Sequence, residues 1–120
     1  MIDDYIELQR TVESAGFFTT FQPIDKPGDR IVCASHEYPE GHERWGLHGN
    51  SFWVAKRGAN WFIASWAPVI YRVPDARRVV VLCLRLLRRE PAGAYGDFDE
   101  QVRRDFGLIA VSDEEFDGAE

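Results

Sequence analysis

Apolar residues near the start of the chain recur at steps of three and four: Ile2, Tyr5, Ile6 and Val12, with Gln9 in the same series. That spacing predicts a helix over about 3–15, and Gly16 supplies its C-terminal stop. The pattern then changes period. Phe17-Phe18-Thr19-Thr20-Phe21 is a β-branched and aromatic run, which reads as a strand. Lys26-Pro27-Gly28-Asp29 carries Pro then Gly at the central positions of a type II turn, and Arg30 to Ser35 reads as the returning strand. Pro23 ends the first of these strands early or places it at an edge.

After a polar loop over 36–44 comes the strongest folding signal. All four tryptophans (Trp45, Trp53, Trp61 and Trp66) lie between Trp45 and Tyr71, with Phe52 and Phe62 among them. The alternation predicts a hairpin of Leu47 to Arg57, a turn at Gly58-Ala59, and Asn60 to Trp66. A two-residue turn sets Lys56 opposite Trp61, Val54 opposite Ile63, Trp53 opposite Ala64 and Ser51 opposite Trp66. One face then holds Phe52, Val54, Trp61 and Ile63. The other holds Trp53, Phe62 and Trp66 beside Ser51, Ala55 and Ala64. Both faces are apolar, so the hairpin is expected at the centre of a sheet covered on both sides, or on one side by a partner.

Pro68 breaks the strand, and Val69 to Val73 resumes it. Asp75 to Glu90 then reads as a long helix with an apolar arc about 200° wide. The arc holds Val79, Val80, Leu82, Cys83, Leu84, Leu86 and Leu87. Its remaining surface is arginine (Arg77, Arg78, Arg85, Arg88, Arg89), interrupted only by Val81. Pro91-Ala92-Gly93 ends this helix. A short helix over 97–106 stops at Gly107, and Leu108 to Val111 forms a short extended piece. Ser112 with Glu115 three residues on matches a capping box, predicting a helical turn around 113–117; otherwise 112–120 frays as an acidic tail. The sum is one α+β domain over 1–120. It has a twisted antiparallel sheet of four to five strands, packed by the N-terminal helix and the helix at 75–90, with short helices at the C-terminal end.

At 120 residues, 45% of them hydrophobic, the chain can bury a core without staples. No apolar run approaches the roughly 20 residues that cross a bilayer. MIDDYIELQR is acidic and helical in pattern, unlike a signal or transit peptide, so a cytoplasmic setting is expected. Cys33 and Cys83 are too few for a disulfide framework and read as free, structural thiols. The net charge of −6 is uneven. Residues 97–120 hold nine acids against Arg103 and Arg104, while the rest of the chain is nearly neutral. Such an end repels phosphate backbones and suits a basic partner. The arginine surface of helix 75–90 and these acids, two patches of opposite sign, are expected to lie near each other.

Candidate chemistry is sparse. His36, His42 and His48 recur every six residues with Glu37, Glu40 and Glu43 between them. Imidazole and carboxylate are zinc ligands, but this spacing across a Pro-Gly loop fixes no geometry, and a solvated loop accounts for it. Two such histidines with Lys56, Arg57 or Arg72 could cleave a phosphodiester by acid–base catalysis, although nothing in the spacing gathers them. Ser35 and His36 are strand neighbours and point apart. No nucleophile elbow and no phosphate cradle occurs. The expectation is a small acidic protein without catalytic residues, metal or cofactor, which binds another protein as an inhibitor, immunity-type or adaptor molecule. It binds neither nucleic acid nor membrane, and its partner is basic. The candidate contact residues are the aromatic set Trp53, Phe62, Trp66 and Tyr71 and the arginines Arg78, Arg85 and Arg89. The alternatives are a metal- or histidine-dependent hydrolase or nuclease using the 36–48 loop, and a small-ligand binder using the aromatic face of the 47–66 hairpin.

Overall fold

The computed structural model describes residues 2–21, 30–35, 51–65, 69–88 and 98–118, with side chains from Tyr5 onward. Helix α1 (Ile2–Ser14) ends as its sequence predicts. Gly16 takes φ +95°, and the N–H groups of Gly16 and Phe17 donate back to the carbonyls of Glu13 (3.0 Å) and Val12 (3.3 Å). This pair of bonds satisfies helix-end carbonyls and needs a residue that tolerates the left-handed conformation. Strands β1 (Phe18–Phe21), β2 (Ile31–Ala34), β3 (Ser51–Arg57), β4 (Asn60–Ala64) and β5 (Ile70–Val73) follow. A 3₁₀ turn (Ala76–Arg78), α2 (Val79–Leu87) and α3 (Glu100–Asp105) precede β6 (Ile109–Val111), and α4 (Asp113–Gly118) comes after it.

The six strands form one sheet in chain order, each antiparallel to the next. The α+β class is as expected, but the strand count of four to five is too low. The extended piece near 108–111 pairs with β5 as a sixth strand. The helix at 75–90 also begins differently. Asp75 caps a 3₁₀ turn by accepting from the Arg77 N–H (3.0 Å), and the α-helix proper starts only at Val79.

The hairpin register is the expected one. Trp53 faces Ala64, Val54 faces Ile63 and Lys56 faces Trp61. Gly58 has φ +60° and no other residue of the turn has positive φ, the pattern of a type II′ turn. The pairing of Ser51 with Trp66 and the turn at 26–29 lie outside the described residues. Since side chains alternate, the register fixes the contents of both faces.

One face carries Ile31, Cys33, Phe52, Val54, Trp61, Ile63, Tyr71 and Val73, covered by α1, α2 and α3. Tyr5, Leu8 and Val12 of α1 reach it at helical spacing, and Leu82, Cys83 and Leu86 of α2 pack beside them. Tyr5 sits edge-on to Trp61 (5.8 Å) and Phe21 (6.2 Å). Its hydroxyl accepts from the backbone N–H of Lys56 (2.6 Å), beyond the point where β2 pairs with β3. Cys33 and Cys83, both free and fully buried, meet inside this core. Their mutual hydrogen bond, then burial, pushes the Cys83 thiol well above its ordinary value.

The opposite face is smaller. Val32, Trp53, Ala55 and Ala64 are buried there, with Ile70 and Phe116 of α4 packed on them. No helix among the described residues is long and apolar enough to cross a membrane.

Ile63→Asp should abolish cooperative melting, because Ile63 is 0% exposed between Val54 and Tyr71 and a lone buried charge has no partner there. Retention of a cooperative melt would show that the Val54–Ile63 face is not the core. Because both side chains are fully buried, neither Cys33 nor Cys83 should react with a disulfide reagent in the native protein, and both should react in denaturant. One thiol reacting in the native state would contradict the burial of this pair.

Candidate functional site

The aromatic candidates divide between the faces. Trp53 is 6% and Phe62 2% exposed, both on the smaller face. Tyr71 does not join them. It pairs with Ile63 and is buried on the opposite face against Phe98 (5.9 Å), so its grouping with Trp53 and Phe62 is corrected. Trp66 and Arg89 lie outside the described residues, as do His36, His42 and His48 with their intervening glutamates. Among the described residues no group of His, Cys, Asp and Glu could hold a metal ion.

Phe116 closes over Trp53 and Phe62. Its ring lies 5.5 Å from Trp53 and 5.2 Å, edge-on, from Phe62, and the Arg57 guanidinium stands 4.6 Å from its centroid. Arg30 stacks over Trp53 at 5.0 Å, and its buried Nε has no hydrogen-bond partner among the described residues. The position of α4 follows from its sequence. The Ser112 hydroxyl accepts from the Glu115 N–H (3.0 Å), fixing the helix start, and Phe116 then falls on the sheet side. Asp113, Glu114, Glu115 and Asp117 all remain exposed, and none forms an ion pair among the described residues. No residue of α4 is fully buried, and among the described residues the helix is held by one half-buried ring. Complete burial of a phenylalanine contributes about 1.5–3 kcal/mol, so this anchor lies toward or below the low end. Sequence patterning assigns 112–120 to cap and tail and misses Phe116. Its signal is a lone aromatic among acids just after a capping box.

Helix α2 presents the arginine surface. Arg85 Nη1 donates to Asp105 Oδ2 at 2.6 Å, and Gln101 Nε2 donates to the other oxygen at 2.8 Å. Arg78 reaches the Asp105 carbonyl (2.9 Å) and lies 4.2 Å over the Phe106 ring. The Arg85 bond, then that of Gln101, holds the Asp105 carboxyl below its ordinary value. The expected meeting of arginines and C-terminal acids therefore occurs through α3. The acids of α4 are across the sheet, beside Trp53 and Phe62, and do not reach α2. Farther along α2, Val81 is 55% exposed and borders an open groove of about 400 Å³ with Leu84, Arg85 and Arg88.

No protein-family model, curated protein or solved structure matches this chain. Its function is therefore read from these surfaces alone.

The Asp105 junction has a defined pH signature. Its folded pKa is depressed, so its contribution to stability is present above the unfolded carboxylate value and is lost as pH falls through the lower folded value. Asp105→Asn should lower the melting temperature near neutrality, and the gap to the native protein should close as pH drops below about 4. A gap independent of pH would assign the loss to packing instead.

Proposed function

We propose that the chain is a non-catalytic protein-binding domain of inhibitor, immunity or adaptor type, working in the cytoplasm, and that it grips its partner through α2. One observation carries this reading: Val81 stands out from the helix among arginines, beside a groove floored by Leu84. Protein interfaces combine a desolvated apolar centre with arginine, whose planar fork pairs with carboxylates at low hydration cost. Of these arginines, Arg85 is already oriented by Asp105, so it loses little freedom on binding. Arg88 is exposed at the end of the helix. The expectation of a basic partner changes with this surface, which suits a partner face with carboxylates around an apolar side chain.

The aromatic set is less suited to this role, because Trp53, Phe62 and Tyr71 are buried in two separate layers. A small ligand gripped by Trp53 and Phe62 would have to take the place of Phe116.

The test is a capture experiment with paired baits. Val81→Asp with Arg88→Glu should leave stability within roughly 0.5 kcal/mol, as exposed substitutions do. The unaltered bait should retain a protein from the native host that the double variant loses, with affinity for the purified partner falling at least about tenfold, the scale of a hot-spot loss. An identical set of captured proteins with both baits would reject α2 as the contact surface.

A further inference from the structure

The smaller face of the sheet carries a second surface, independent of α2. Phe116 enters a seat made by Trp53, Phe62 and the Arg57 guanidinium, while the carboxylates around it on α4 stay in solvent. We propose that this seat is a binding slot for a protein segment presenting an aromatic side chain flanked by carboxylates, and that α4 occupies it within the chain.

Three observations support the assignment. The first is charge. The slot is bordered by cations, with Arg57 over the Phe116 ring, Arg30 over Trp53, and Arg72 paired with Phe62 across the strands. The occupant carries Asp113, Glu114, Glu115 and Asp117 around its one aromatic ring, so slot and occupant have opposite sign.

The second is the mode of attachment. A six-residue helix has little stability of its own. Among the described residues it makes no ion pair to the sheet, and only Phe116 of the helix packs into the face. Such an element opens without unfolding the strands beneath it. Those strands would keep the slot intact, because Ala55, Phe62 and Ala64 belong to the central hairpin.

The third is space. A groove of about 370 Å³ runs along the flank of α4, lined by Phe62, Arg72 and Val111 from the sheet and by Glu114 and Glu115 from the helix. An incoming segment can lie there before Phe116 leaves. The buried, unpartnered Nε of Arg30 is a further feature that a carboxylate would satisfy.

The probe is a fluorescein-labelled peptide of residues 112–118, SDEEFDG, titrated into the full chain and into its Phe116→Ala variant and followed by anisotropy. The variant should bind the peptide saturably and at least about tenfold more tightly than the unaltered chain, in which the tethered α4 competes at high effective concentration. Binding should weaken with added salt. It should be lost when the peptide's phenylalanine is replaced by alanine, and reduced when Arg57→Ala is added to the variant. No saturable binding by a cooperatively melting variant would overturn the proposal, as would equal binding by the variant and the unaltered chain. A Phe116→Ala chain that no longer folds would make Phe116 an ordinary core residue and overturn it equally. Hydrogen exchange on the unaltered chain gives a reading that needs no variant. Amides of α4 should exchange far faster than those of β3 and β4, whereas equal protection would mean that α4 does not vacate the slot. All these outcomes are separate from the fate of the α2 surface, which lies on the other side of the sheet and is probed by Val81 and Arg88.

Discussion

Everything in this fold depends on the pairing of β3 with β4. Once Gly58 and Ala59 make the turn, Val54 must face Ile63 and Trp53 must face Ala64. That single choice sends Val54, Trp61 and Ile63 to one side and Trp53, Ala55 and Phe62 to the other. A slip of one residue would exchange the two sets. Large side chains would then meet α1 and α2 where their knobs now fit, and the slot for Phe116 would vanish. The hairpin is short-range in sequence and central in the sheet, so the most local decision also has the widest consequences.

The two faces are held in very different ways. On the larger face α1 and α2 contribute several buried residues each, and α3 adds Val102 with Phe98 and Phe106 flanking it. Asp105 adds a polar tie at its rim by engaging both Arg85 and Arg78, so that α3 is fixed to α2 by more than apolar contact. On the smaller face α4 contributes one ring. Native proteins open locally where few apolar contacts hold an element, and that contrast places the easily opened part of the described fold at α4. The arginine surface and the acidic helix, which as patches of opposite charge could have closed on each other, are separated by the thickness of the sheet.

Much of the fold was legible because local signals agreed with one another. Gly16 ends α1, Gly58 makes the turn, and Ser112 starts α4, each by a mechanism confined to a few residues. What escaped was non-local. The strand at Ile109–Val111 is three residues long and pairs with β5 across two helices, so no alternation within it could announce its place. The side of Tyr71 depended on the parity of the connection between Ala64 and Ile70, which Pro68 interrupts. With an even or odd count equally open, the grouping of Tyr71 with Trp53 rested on residue type alone. The candidate site was less legible than the fold. Trp53 and Phe62 are neighbours on one face, as the alternation predicts, yet nothing in that alternation points to the ring that joins them.

That omission has a physical cause. A phenylalanine in a stretch of four acids raises no hydrophobic period, so a pattern search assigns the stretch to solvent. A capped single turn is nonetheless long enough to aim one side chain, and one side chain suffices when the surface beneath it is already built. Trp53 and Phe62 supply that surface because their positions are set by the hairpin, whatever covers them. Ala55 and Ala64, small and cross-strand from Phe62 and Trp53, leave the relief between the two large rings. The acids around Phe116 stay exposed, so that among the described residues the contact of α4 with the sheet is made through that one ring.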